Sequence, residues 1–469
     1  MTDGEEQRES TGRIEAMWSR AVSKLGEVLK GTLVLPSDRL YEEARQVYNR
    51  SIDRRPAMIA RCADEEDVVW CVRLAREYGI PLSVRAGGHS PAGHSVVDGG
   101  LVIDLSPMKG IRIDVKSRMA LVETGARWND LDKATARHGL AAVGGHQSQV
   151  GVSGLVLVGG WGILSRLHGL AADNLIRARI VGADGRIYSV SETEHPELLW
   201  ALRGAGAGHF GVVTSLKLRL YEVPQRLRCG VAIYPIETAA KMVPAMLTYM
   251  NESAPRELGI FASLRHHRGR PALLLVYLYR GPTDEADRAT DPILKLAKPI
   301  EEIGHLHSYL ELKKYFSATV PEPQKALWKS GMVDRPLGAD TVETLVDLCE
   351  RAPTDLGRIN FEFTNGAIHD RDQGASAFAH RSQLFCLNMV AMWGRDLGEE
   401  ADRVNESWAR SSHAKMSPLL SSRVYPGYAD PDLTDFGRAY WGENYPRLCK
   451  IKQLWDPDTI FGVDQIIGR

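Results

Sequence analysis

The stretch Ile80-Pro81-Leu82-Ser83-Val84-Arg85-Ala86-Gly87-Gly88-His89-Ser90 changes character halfway along. Ile80 to Val84 reads as a buried strand, and the chain then enters a turn with two consecutive glycines. Paired glycines directly after a strand let backbone N–H groups point toward an anion, an arrangement that suits a pyrophosphate. His89 would then stand beside whatever carries that anion. The alternative is a turn histidine bonded to neighbouring backbone.

Outward from this stretch the chain alternates short strands and helices. Upstream, Asp64 is placed to cap a helix with an acidic first turn (Glu65, Glu66, Asp67) and Gly79 as its stop. Downstream, strands are expected at Leu101–Leu105 and Met119–Glu123, with a helix near Asn129–Arg137. A second glycine block follows, Val150-Gly151-Val152-Ser153-Gly154 with Gly159-Gly160-Trp161-Gly162. Two separate tight loops suit a long ligand that needs close backbone approach at two places. A third, Gly206-Ala207-Gly208-His209-Phe210-Gly211, satisfies G-x-G-x-x-G. Here the helix starting at Pro196 precedes the glycines and a strand over Gly211–Leu220 follows, the reverse of a dinucleotide fingerprint. A glycine turn into a strand is therefore expected, its backbone close to a cofactor at most.

From about Cys229 glycine thins out and strands lengthen (Ala272–Arg280, Arg358–Phe363, Gln383–Trp393), separated by polar helices over Thr283–Leu296 and Gly398–Ser412. That pattern predicts an antiparallel sheet with helices on one face. Lys plus Arg (58) nearly balances Asp plus Glu (59), so nothing electrostatic calls for nucleic acid or an anionic membrane as partner. Met1 to Ser10 is acidic and polar, unlike a secretory leader, and a cytoplasmic protein is expected. Six cysteines without any C-x-x-C argue against structural zinc and a disulfide framework. His266-His267, His305 with His307 and His89 with His94 lack an acidic partner at metalloenzyme spacing, so no metal is expected.

Several ordered motifs together resemble FAD-linked oxidases of the vanillyl-alcohol oxidase superfamily, in the branch of berberine bridge enzyme and 6-hydroxynicotine oxidase. They are Arg85–Ser90, Val102-Ile103-Asp104-Leu105-Ser106, Gly169-Leu170-Ala171-Ala172-Asp173-Asn174, Trp200-Ala201-Leu202-Arg203-Gly204 and the ending Asn444-Tyr445-Pro446-Arg447-Leu448, Lys452, Asp456-Pro457, Phe461. The resemblance covers nearly the whole chain from Asp53. It implies an α+β fold: a two-part FAD-binding domain (1–227 and the returning segment 425–469) with an inserted antiparallel-sheet substrate domain (228–424).

The resemblance also implies site residues. His89 would carry the flavin covalently, a neutral imidazole being a competent nucleophile toward the electron-poor 8α-methyl. Arg85, Ala86, Gly87, Gly88, Ser90 and His94 would hold FAD from the first loop. Gly125, Gly145, Val150, Gly151, Val152, Gly154, Gly160 and Gly162 would do so from the second region, with Asn174, Val213 and Asn444 farther along. His146-Gln147-Ser148-Gln149 stands where many relatives have a second, cysteinyl attachment, so one bond is expected and a smaller or more enclosed substrate. Val152, a small side chain after the Val-Gly pair, implies access of molecular oxygen. Tyr428, in Val424-Tyr425-Pro426-Gly427-Tyr428, matches the tyrosine that abstracts a substrate proton, with Tyr425 as the alternative. Glu362 matches an acidic position facing the flavin, against a solvent-facing strand carboxylate. The expected activity is oxidation of a small organic substrate, with oxygen as acceptor and hydrogen peroxide as product. A dehydrogenase with an organic acceptor and a flavin-binding protein without turnover are the alternatives, and the oligomeric state is left open.

Overall fold

Three sheets organise the chain in the computed structural model, which describes residues 18–304, 307–318 and 322–469. The acidic start Met1–Ser10 and His305 lie outside them. The first sheet contains β1 (Thr32–Val34), β2 (Met58–Arg61), β3 (Leu82–Arg85) and β4 (Leu101–Asp104) in the order β1-β2-β4-β3. β2 and β3 run parallel to β4, and β1 is antiparallel to β2. β2 and β3 flank β4, with α1 (Glu65–Tyr78) as the crossover between β2 and β3, and residues 86–100 make the return from β3 to its parallel neighbour β4. Asp64 caps α1 by accepting from the backbone of Glu66 and Asp67, and Gly79 ends it in the left-handed region.

The second sheet has β5 (Ile111–Asp114), β6 (Met119–Glu123), β7 (Leu140–Ala142), β8 (Leu175–Val181), β9 (Ile187–Ser191) and β10 (Val212–Glu222), all antiparallel. Between its strands come α2 (Trp128–Ala136), α3 (Val152–Val156) and α4 (Pro196–Ala205). Pro196 sits in the first turn of α4, as the sequence predicts.

The third sheet, β11 (Arg228–Pro235), β12 (Leu258–His267), β13 (Arg270–Tyr279), β14 (Glu301–Ile303), β15 (Lys325–Val333), β16 (Arg358–Phe363) and β17 (Phe385–Trp393), is antiparallel throughout, in the order β14-β11-β13-β12-β16-β17-β15. Ala232, Tyr234, Ala262, Leu264, Ile359 and Phe361 pack on one face against α5 (Ala239–Glu252), α6 (Ala286–Leu294) and α8 (Ala339–Glu350). α7 (Tyr309–Ala318) departs from the one-face expectation: its Tyr309 and Leu312 join Val231, Ile233 and Phe261 on the opposite face. The long helix α9 (Glu399–Met416) sets Trp408 against Leu327 and Trp393. The tail returns to the first half through α10 (Tyr445–Trp455), where Arg447 pairs with Glu197 at 2.6 Å and lies over Trp200. Among the described residues no helix is long and apolar enough to cross a membrane.

Candidate active site

A cavity of about 320 Å³ lies between the glycine loops of the first half and one face of the seven-stranded sheet. Its first wall is mostly backbone. The turn after β3 supplies Ala86, Gly87, Gly88, His89 and Ser90, and the second region supplies Gly145, Val150, Gly151 and Gly154. The two loops touch: a Cβ built on Gly87 would come within 2.8 Å of the Gly151 Cα and closer still to its amide. At Gly154 a Cβ would meet nothing within 4 Å and would project into open space. The third loop, Gly206–Gly211, has α4 before it and β10 after it, so the dinucleotide fingerprint is absent while its backbone lines the cavity.

The second wall is made of side chains, and strand periodicity builds it. Along β16, Arg358, Asn360 and Glu362 face the cavity while Ile359, Phe361 and Phe363 enter the helix-backed core. β12 contributes Phe261 and Arg265, and β17 contributes Asn388 and Val390. Glu362 is buried, which decides against a solvent-facing carboxylate. It accepts from the Tyr428 hydroxyl at 2.8 and 3.0 Å and from Trp161 Nε1 at 2.6 Å. Burial pushes its carboxyl above the usual range, against hydrogen bonds from Trp161, Tyr428 and Asn388 that pull it down. Burial, then the charge of Glu362, raises the Tyr428 phenol well above its ordinary value. The resting pair is thus a protonated phenol donating to the Glu362 carboxyl group. Tyr425, three residues earlier, instead accepts from the Gly160 amide at 3.1 Å and packs against Trp161, the rings tilted by 37°.

Four histidines line the cavity, and burial keeps each neutral. It lowers His89 to about 3, His94 to about 4, His146 to about 3 and His209 to about 3. His89 stacks on Tyr48 with centroids 4.3 Å apart. A neutral, oriented imidazole at the mouth of a double-glycine turn suits nucleophilic attachment. His146 packs between Phe261 and Phe316. Beneath it, buried Lys313 donates to the Gly145 carbonyl and lies 3.5 Å from Asp132.

Of the residues expected from sequence, the cavity brings together Ala86, Gly87, Gly88, His89, Ser90 and His94, then Gly145, Val150, Gly151, Gly154 and Val213, with Tyr428 and Glu362 opposite. Seven others do not line it. Arg85 turns back to pair with Asp104 at 2.9 Å. Gly125 is held at Met108, its amide donating to that carbonyl. Val152 is fully buried in the core under the second glycine loop. Gly160 and Gly162 give their amides to Tyr425 and to Ser165 Oγ. Asn174 holds the Leu170 carbonyl and accepts from Tyr221. Asn444 bonds the Gln373 and Ser376 carbonyls, tying the tail down. Sequence reasoning missed Tyr48, Arg265, Trp328, Arg358, Asn360 and Asn388 as cavity residues. The polar alternation Arg358-Ile359-Asn360-Phe361-Glu362 was the available signal for three positions, since it marks one face of a strand.

The residues present fit FAD. Tyr48 Oη, Ser95 Oγ, His209 Nδ1 and Asn388 Oδ1, all on cavity-lining residues, are buried without a hydrogen-bond partner among the described residues. Such groups need a polar ligand to satisfy them. The touching glycine loops leave backbone, with no side chain between, against a long cofactor. Fold and site together therefore define a flavin-dependent oxidoreductase.

Comparison with known proteins narrows the class. The FAD binding domain family matches residues 56–191, and the family described as berberine and berberine like matches 424–468. (R)-6-Hydroxynicotine oxidase of Paenarthrobacter nicotinovorans is 35% identical over 446 residues, covering 92% of this chain and 95% of that protein. Xylooligosaccharide oxidase of Thermothelomyces thermophilus is 28% identical, covering 90% and 88%. The crystal structure of 6-hydroxy-D-nicotine oxidase from Arthrobacter nicotinovorans superposes with a TM-score of 0.83 at 27% identity, covering 92% and 96%. The chain belongs to the berberine bridge enzyme-like family of FAD-linked oxidoreductases. Its cofactor is FAD, and the vanillyl-alcohol oxidase type of fold holds across the sheet order described above.

Proposed function

We propose that the protein is an FAD-dependent oxidase, with the flavin bound covalently to His89 alone, that oxidises a C–OH or C–N bond of a small organic molecule or closes a ring oxidatively. The observation carrying this reading is the Tyr428–Glu362 hydrogen bond set across the cavity from the glycine wall. FAD, when bound, supplies the two-electron chemistry, taking hydride and passing electrons to oxygen to give hydrogen peroxide. The chain's own part is the proton. Tyr428 Oη takes a proton from the substrate hydroxyl or amine as it releases its own to Glu362, whose position Trp161 fixes. On this reading Glu362 is the terminal base and Tyr428 the relay, because the phenol is pushed up and its hydroxyl donates to the Glu362 carboxyl.

The relay favours Tyr428 over Tyr425, whose hydroxyl is committed to Gly160. On this reading 1–227 with 425–469 holds the cofactor and 228–424 the substrate. Oxygen as acceptor rests on the family resemblance at Val152, and a cytoplasmic setting on six cysteines that form no disulfide. The test is flavin absorbance under substrate. Anaerobic bleaching followed by recovery in air identifies the oxidase. Recovery only with an organic acceptor identifies a dehydrogenase, and a flavin that no substrate bleaches identifies a binding protein.

A further inference from the structure

Among the residues lining the cavity, the formal charges are Arg265, Arg358 and Glu362. The four lining histidines are neutral, so two guanidiniums face a single carboxyl group. Arg265 and Arg358 are directly opposed in the β12–β16 register, which puts their Cβ atoms on one face, about 5 Å apart for such a pair. Like charges opposed across strands are destabilising, and here they are also mostly removed from water. Among the described residues neither has an ion-pair partner, and the Arg358 guanidinium donates to Met392 Sδ. Burial pulls both guanidiniums below their ordinary value, Arg358 to about 10 with Arg265 contributing, and both stay charged at neutral pH.

We propose that this pair is an anionic subsite and that the substrate is an organic acid, held by its carboxylate between Arg265 and Arg358. The proposal rests on the proposed oxidase reading for what happens at the other end of the molecule. A guanidinium matches a carboxylate in two parallel bonds, and two guanidiniums on adjacent strands bracket one such group. A carboxylate supplies negative charge that the single carboxyl group of the lining cannot match against two guanidiniums. The register also sets a length. Four residues separate Arg358 from Glu362, about 14 Å between their backbone positions along an extended strand, a span that the two side chains shorten, since each feels the other's charge. Phe261, directly opposite Glu362 in the register, and His146 against Phe316 give an apolar and aromatic flank for the body of the molecule.

The test uses the purified full-length protein and three acids of increasing length, phenylacetate, 3-phenylpropanoate and 4-phenylbutanoate, each beside its primary amide. Binding is followed by tryptophan fluorescence, because Trp161 and Trp328 line the cavity, and by thermal shift. At least one acid is expected to bind about tenfold or more tighter than its amide, the margin of a charge-assisted bond over a neutral one. Arg265→Met and Arg358→Met should each bring the ratio of acid to amide affinity close to one, whatever happens to the amide's absolute affinity. Equal affinity for acid and amide in wild type overturns the proposal without any variant, as does no saturable binding by all three acids. Retained preference in both variants overturns it too. A lower flavin-to-protein ratio in the variants also overturns it, by showing that the arginines hold the cofactor. Failure of the oxidase reading is separately visible as wild type that carries flavin no substrate bleaches, while acid preference still stands or falls on the fluorescence titration.

Discussion

The two walls of the cavity are built on opposite plans. The glycine wall is shaped by what is missing: Gly87 and Gly151 approach so closely that neither tolerates a side chain. The sheet wall is shaped by alternation, with Arg358, Asn360 and Glu362 on one side of a strand and Ile359, Phe361 and Phe363 on the other. A change in the first alters whether a cofactor can be seated. On the proposed reading, a change in the second alters what is done to a substrate while the core behind stays packed.

The largest expected effect breaks the sheet wall's chemistry without its packing. Tyr428→Phe should slow flavin reduction, measured anaerobically by rapid mixing, by about 10²–10⁴, the usual worth of a positioned general base. Glu362→Gln added to it should cost less than its effect alone, because relay partners do not contribute independently. Reduction within a factor of two of wild type would remove Tyr428 from the mechanism.

On the glycine side, Gly87→Ala places a methyl group against the Gly151 backbone. Overpacking of this kind costs about 1–3 kcal/mol. A lower melting temperature and a reduced flavin-to-protein ratio are both expected, whereas Tyr428→Phe should leave the ratio intact. His89→Ala sharpens the same contrast: acid-precipitated wild type should stay yellow and the variant should release its flavin to the supernatant.

The histidines offer a smaller effect on stability. His89, His94, His146 and His209 have folded-state values of about 3 to 4, below the unfolded 6.5. The unfolded chain therefore binds more protons as pH falls, and stability present above pH 6.5 is lost progressively toward pH 3. Each contributes at most about 1.4 kcal/mol per pH unit within that window. Denaturant titration at pH 7, 6 and 5 should show a declining midpoint, less so for His146→Phe. A flat profile would mean these imidazoles are protonated in the folded state.

The smallest effect concerns Val152. Because its side chain is buried under the glycine loop, Val152→Leu should act on reoxidation by displacing the loop, with flavin reduction by substrate nearly unchanged. Equal reoxidation rates in air would take Val152 out of the oxygen path.

The contrast between the walls also explains what could be read from the sequence. Glycines, caps and breakers act locally: the loop at Gly87, the cap at Asp64, the stop at Gly79 and Pro196 in the first turn of α4 all fall where expected. Glu362 and Tyr428 were reachable because motif resemblance fixes their place in the chain. Arg265 could not be reached that way, since its meaning comes from standing opposite Arg358, 93 residues on, and strand register is set by tertiary packing. Asn444 and Asn174 have cofactor-like motif contexts, yet their amides are spent on backbone carbonyls that no linear pattern announces.

Strand β16 has one more consequence, for how such enzymes diversify. Its cavity-facing positions are separated from its core-facing ones by a single peptide unit, and Asn360 pairs across with Asn388 while Phe361 pairs with Leu387. Mutation at the cavity-facing positions can therefore change what this wall presents while Ile359 and Phe361 stay packed in the core. A lineage built on this strand can change its diet one residue at a time.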